Sequence, residues 1–345
     1  MTRAALWLHV LLCGVALCFA WQSAHEVKVK KGGPSSVVLL EAAKGDVVDV
    51  LYTWDKGSTH TTLEGSDKAR AAIVEVDREI PAPKVKEPKK ADAAAVPEPL
   101  ALPAVVAQAE REQATLPGGK GVLTAIEALE PFKTKRTLGA VDDAKLEAMG
   151  LKAPLRSLVI QTRNGRTLTL ELGEQSFGAQ GRYARVKGET TVHLIDAAIA
   201  TGLEGGADAL LEKRLLTAEL ESISGYTLEV GAETRTFVHV DKDQATKRFF
   251  ARKDDAAVKD DAAGKLMTTV RNLRGTKLAS PDTVSSAGAA AAVFVIDVEN
   301  HKTKIEIFER GPSEGHQAKV GRFVFELTAT QSKELLDDIQ AATGT

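Results

Sequence analysis

Apolar and polar residues alternate in short runs between Leu158 and Ile195, the period of strands that bury one face. Leu158-Val-Ile-Gln-Thr162 and Thr167-Leu-Thr-Leu-Glu-Leu172 flank Arg163-Asn164-Gly165-Arg166. An Asn-Gly pair between two such runs predicts a type I′ hairpin turn, and Gly173 closes the hairpin. Tyr183-Ala-Arg-Val186 and Thr191-Val-His-Leu-Ile195 follow, joined through Lys187-Gly188-Glu189-Thr190. The pattern predicts a four-stranded antiparallel meander.

Upstream, Val37–Leu40, Asp46–Trp54 and Thr59–Leu63 read as strands, the last two forming a hairpin around Asp55-Lys56-Gly57, and Ile73–Val76 adds another. Val122, Leu123, Ile126 and Leu129 fall at helical spacing and end before Pro131. Asp142–Met149 reads as a short helix capped by aspartate and stopped by Gly150. Downstream of the meander, Asp196–Ala209 reads as helical, and Leu211–Leu216 leads into a second series. Its strands are Glu219–Ile223, Tyr226–Val230, Thr234–Val240, Val293–Val298, Lys304–Phe308, Lys319–Val320 and Arg322–Leu327, with a helix over Gly264–Leu273 and another over Gln331–Ala341. Leu266, Val270 and Leu273 stand where Val122, Ile126 and Leu129 stood, and Asn300-His301 answers Asn164-Gly165. The order hairpin, helix, four strands, helix recurs, which predicts an internal duplication whose second copy lacks the Asp142–Met149 helix. The predicted fold class is α+β: two tandem repeats, each an antiparallel sheet with helices packed on one face.

Two stretches break the pattern. Ala4–Trp21 is an apolar run after Arg3, and eighteen helical residues span roughly 27 Å, enough to cross a bilayer. It reads either as a secretory signal cut after Ala20, with Cys18 and Ala20 as the small residues before the cut, or as an uncut anchor with Trp7 and Trp21 at the interfaces. Both imply export. Between Pro81 and Pro117 lie seven of the chain's twelve prolines, together with Lys84, Lys86, Lys89 and Lys90 and an Ala-rich middle. That composition predicts a semi-rigid spacer with a short helix around Ala104–Gln113. The expected organisation is therefore a signal or anchor over 1–24, the first hairpin of repeat one over 25–80, a linker or insertion over 81–117, the remainder of repeat one over 118–212, and repeat two over 213–345.

Composition narrows the function. Lys+Arg 45 against Asp+Glu 47 gives a net charge of −2, without the basic field that draws nucleic acid, and 5% aromatic residues offer no base-stacking platform. Both cysteines, Cys13 and Cys18, lie in the apolar N-terminal run, so the folded part is expected to hold no disulfide, thiolate metal site or nucleophilic cysteine. His25, His60, His193, His239, His301 and His316 are scattered without metal-ligand spacing. Gly311-Pro-Ser-Glu-Gly315 matches G-x-S-x-G, but Ser313 falls in a loop between two strands, where a nucleophile elbow needs a strand before and a helix after. Asp241, Asp243, Asp254, Asp255, Asp260 and Asp261 lack the alternate spacing and central glycine of a calcium loop. Tyr183 and Arg185 on one strand, with Arg163 and Arg166 at a hairpin tip, form an anion-recognition candidate, with plain strand-surface charges as the alternative. Trp54 reads as the cap of a core or an exposed anchor. The sequence thus predicts no catalytic residue, no metal and no cofactor.

With Leu146-Glu-Ala-Met-Gly-Leu-Lys-Ala-Pro154, the Asn164-Gly165 hairpin ending in Leu170-Glu-Leu-Gly173, Tyr183–Glu189, Val192–Asp196 and Leu211–Leu216 in fixed order, the chain resembles the bacterial DUF4340 family over about residues 140–230. The resemblance implies an exported protein with one N-terminal membrane segment and repeated α+β units, and it favours the uncut anchor. Some members are encoded beside gliding-motility or ABC-type transport components. The family supplies no site residues. The function expected is a non-catalytic extracytoplasmic scaffold or accessory subunit that contacts envelope or membrane proteins, held at the inner membrane by residues 4–21. The alternative is a periplasmic binding module with its ligand in the cleft between the repeats.

Overall fold

The computed structural model describes residues 36–65, 70–80, 110–177, 180–285, 288–299, 301–311 and 315–344. The apolar segment at 4–21 lies outside them. Among the described residues no helix is long and apolar enough to cross a membrane.

The first part of the chain runs through β1 (Val38–Leu40), β2 (Val47–Trp54), β3 (Gly57–Glu64), β4 (Ala71–Ile80), β5 (Glu110–Pro117), helix α1 (Lys120–Glu127), β6 (Phe132–Lys133), β7 (Arg136–Ala140) and α2 (Asp143–Ala148). The meander follows as β8 (Arg156–Thr162), β9 (Thr167–Gln175), β10 (Gly181–Val186) and β11 (Thr191–Asp196), then α3 (Ala197–Leu203) and α4 (Ala207–Leu210). Apart from the small β1–β6 pair, these strands form one nine-stranded sheet in the order β5-β4-β3-β2-β8-β9-β10-β11-β7. Alternation sorts its faces: Val50, Tyr52, Leu158, Ile160, Leu170 and Ala184 point inward and share a core with Val122, Ala125 and Ile126 of α1 and Ile199, Ala200 and Leu203 of α3. Gly202 lets α3 lie against α1, since a Cβ there would stand 2.8 Å from the Ala125 methyl.

The second part comprises β12 (Ile223–Val230), β13 (Glu233–Val240), β14 (Phe249–Arg252), α5 (Asp261–Asn272), β15 (Leu278–Ala279), α6 (Asp282–Ser285), β16 (Ala292–Val298), β17 (His301–Gly311), β18 (Gly315–Val320), β19 (Phe323–Glu326) and α7 (Ala329–Thr343). Its eight strands are ordered β14-β13-β12-β16-β17-β18-β19-β15, around a separate core into which α5 and α7 pack. Leaving out β5, this order matches that of the first sheet strand for strand, with β12 standing for β2, β16 for β8 and β18 for β10. The helices correspond likewise, α5 to α1, α6 to α2 and α7 to α3. Helix starts follow local chemistry: Asp142, Asp196 and Asp260 accept hydrogen bonds from the first-turn amides of α2, α3 and α5, and Thr328 with Gln331 forms a capping box on α7.

Three expectations are corrected. Glu110–Pro117 is not linker but the edge strand β5, paired along its length with β4, so neither the spacer to residue 117 nor a helix reaching Gln113 holds at that end. Its polar EREQ sequence hides the strand period, and the pairing is held by cross-strand ion pairs of Arg78 with Glu112 and Arg111 with Asp77. Residues 81–109 lie outside the described residues. The second series does have a counterpart to α2: α6 is only four residues long, too short for a period to show, yet its Val284 packs with Phe308 and Val324 on the face opposite α5 and α7. The helix read over Asp196–Ala209 stops at Leu203 and resumes at Ala207, across Gly205-Gly206.

Candidate functional site

A cluster of polar side chains lies at one corner of the first sheet, on its helix-covered face. Arg156 opens β8 and pairs across to Leu172, which pairs on its other side with Ala184 of β10. Arg182 lies one inward position before Ala184. Tyr52 sits opposite Leu158, so Trp54, two residues on, comes beside Arg156, and the Tyr52 and Trp54 rings stack at 5.6 Å. Above them α3 ends at Glu204, whose carboxylate accepts a 2.8 Å hydrogen bond from the Tyr52 hydroxyl. Burial, then the bond and charge of Glu204, push the hydroxyl's pKa up, which keeps it a neutral donor.

The arginines are less well satisfied. Arg156 stands 3.8 Å from Glu204 and 3.8 Å from Glu174, beyond hydrogen-bonding range. Its buried Nε has no acceptor among the described residues, and neither has the buried Nε of Arg182, which donates only through Nη1, to the Gly173 carbonyl at 2.9 Å. Two guanidinium groups whose Nε donors lack acceptors among the described residues can hold an oxyanion by charge-assisted hydrogen bonds.

The residues singled out from sequence are dispersed. His60 is on the opposite face of the first sheet, 2.6 Å from Asp49 and 3.5 Å from Glu75. His193 is buried with Nδ1 3.2 Å from the Thr137 hydroxyl. His239 stacks on Phe250 at 4.4 Å and bonds the Ile223 carbonyl at 2.8 Å. For both, burial lowers the pKa. His301 is exposed, and His316 is buried with neither ring nitrogen partnered among the described residues. His25 and Ser313 lie outside the described residues. Asp260 caps α5, while Asp241, Asp243, Asp254, Asp255 and Asp261 are exposed. Among the described residues no three His, Cys, Asp or Glu side chains are grouped to hold a metal. Arg185 is engaged by Glu171 at 2.6 Å and by the Leu151 carbonyl, away from the hairpin tip. Arg166 lines a shallow groove with Val38, Leu40 and Leu168. Trp54 is buried in the first core. Sequence reasoning missed Arg156, Arg182, Tyr52 and Glu204. Their only local signal is an arginine at the first inward position of β8 and of β10, where β16 and β18 carry Ala292 and His316.

Among known proteins, a family model described as a domain of unknown function, DUF4340, matches residues 122–292. The match starts inside α1 and ends on the first residue of β16, crossing from the first sheet into the second. It includes Arg156, Arg182 and Glu204 but not Tyr52 or Trp54. No curated protein and no solved structure matches the chain.

Proposed function

The chain belongs to the DUF4340 family through residues 122–292, and from that membership we propose that it is a non-catalytic scaffold or accessory subunit of a membrane-associated complex. The observation that carries this reading is the sidedness of the sheets. Helices α1 and α3, and α5 and α7, cover one face of each, while the opposite faces, covered in part by α6 on the second sheet, expose half-buried aliphatic side chains: Leu51 and Val159 on the first, and Val238, Val293 and Val295 on the second. Sheet faces of this kind suit broad protein contacts. On this proposal residues 4–21 anchor the chain at an inner membrane with the sheets outside the cytoplasm. Two tandem copies of one α+β unit, arisen by duplication, then present two related faces to a transporter or a motility machine.

The test is in-cell photo-crosslinking from Val159 and Val295, combined with membrane fractionation. Adducts with envelope proteins and a membrane-bound chain support the proposal; a chain that fractionates with the cytosol, or forms no adduct from either position, overturns it. A second reading, a binding module, is favoured by the polar corner.

A further inference from the structure

The two sheets share one topology, so each position of the polar corner has a counterpart that can be found by counting through hydrogen-bonded pairs. Arg156, Leu172 and Ala184 form a row across β8, β9 and β10; Ala292, Ile307 and Ala318 form the same row across β16, β17 and β18. Arg156 therefore answers to Ala292, and Arg182 to His316. Leu158 pairs with Tyr52 as Phe294 pairs with Leu228, so Tyr52 answers to Leu228 and Trp54 to Val230. Counting from the helix caps Asp196 and Thr328, Glu204 answers to Leu336. The second sheet thus builds this corner almost entirely from apolar side chains.

The comparison separates what the fold needs from what has been added to it. The sheet, its helices and its register form without either arginine, without the tyrosine hydroxyl and without the carboxylate. Yet in the first sheet two guanidinium groups are held with buried Nε donors that no acceptor among the described residues meets, an arrangement that costs free energy unless something else accepts those bonds. Helix α3 also stops at Leu203, with Glu204 as its cap, whereas α7 continues to Thr343.

We propose that the corner between Arg156 and Arg182 binds the carboxylate of a small ligand. One strand separates β8 from β10, so the two backbones are roughly 10 Å apart, a gap that two inward-reaching arginine side chains close on a single oxyanion. A planar carboxylate matches the guanidinium fork. Glu204 and Glu174, each 3.8 Å from Arg156, set a limit on charge: they repel a dianionic phosphate more than a monoanion. The Tyr52 hydroxyl, wholly buried beneath the corner, holds Glu204 in place, and the Trp54 ring, itself largely buried, borders Arg156.

The measurement is nuclear magnetic resonance of the arginine Nε–H signals in the full-length chain, titrated with acetate, benzoate and inorganic phosphate at constant ionic strength. The Arg156 and Arg182 signals are expected to move saturably with the carboxylates and more weakly with phosphate. Arg156→Gln or Arg182→Gln is expected to weaken carboxylate binding at least about tenfold, the size of one charge-assisted hydrogen bond. His316→Gln, at the equivalent place in the second sheet, leaves it unchanged. The proposal is overturned if neither Nε signal moves in the wild-type chain, a result that needs no variant to fold, or if binding survives in both arginine variants. It is overturned as well if phosphate binds as tightly as the carboxylates.

Discussion

Thr59 and Thr61 are fully buried on the inner face of β3, and neither hydroxyl has a partner among the described residues. A hydroxyl out of water without a partner is a cost, so replacing it with a methyl of the same shape relieves the fold. Thr61→Val is expected to raise stability by about 1 kcal/mol, read as a higher urea midpoint with unchanged slope. His60 shows the opposite economy on the outer face. Burial works against charging its ring, but the hydrogen bond and charge of Asp49, and then those of Glu75, outweigh it and raise the pKa. The folded chain therefore holds this proton more tightly than the unfolded one. The resulting stability is fully present below the unfolded value of about 6.5 and is lost as pH rises through the folded value. The deficit of His60→Gln relative to wild type is accordingly larger near pH 5.5 than near pH 9, by roughly the contribution of one proton linkage. Equal deficits at both would show that the carboxylates do not hold a charged ring.

Between elements, one buried ion pair ties the first sheet to the segment after α1. The Glu130 carboxylate is wholly buried and accepts from the backbone amides of Val47 at 2.7 Å and Gly45 at 3.1 Å and from both terminal nitrogens of Arg70, which also donates to the Val47 carbonyl. Its removal strands a mostly buried guanidinium and two amides. Glu130→Ala is expected to cost about 3–5 kcal/mol in urea unfolding. The α7 capping box is a smaller attachment: Thr328→Ala is expected to cost about 1 kcal/mol, and Ser as a replacement keeps most of it. The Asp142 cap was legible in the sequence because it acts within three residues, whereas α5 and α7 begin ahead of the Gly264 and Gln331 starts read from the apolar period, at the Asp260 and Thr328 caps. The edge strand β5 was not legible, since its partners Asp77 and Arg78 lie more than thirty positions away.

At the scale of the whole molecule, the second sheet has its own core and its own helices, and among the described residues Leu211 and Leu278 pack against both cores. Residues 211–345 expressed alone are expected to unfold in one cooperative transition, followed by circular dichroism with temperature; a sloping melt without a transition would show that the second core depends on the first.

Alternation along Leu158–Ile195, the Asn164-Gly165 turn, the apolar stripes of α1 and α5 and the repetition of their order fixed the antiparallel character of the sheets from the chain alone, because period, turn and cap are short-range effects. The meander that organises the sequence also carries Arg156 and Arg182, each an unremarked charge at the start of its strand. Their meeting with Tyr52 and Glu204 depended on strand register and on where α3 stops, which are set by pairing between residues distant in the chain. Only the tertiary structure could bring those four side chains to one corner, and only the second sheet could show that the fold forms without them.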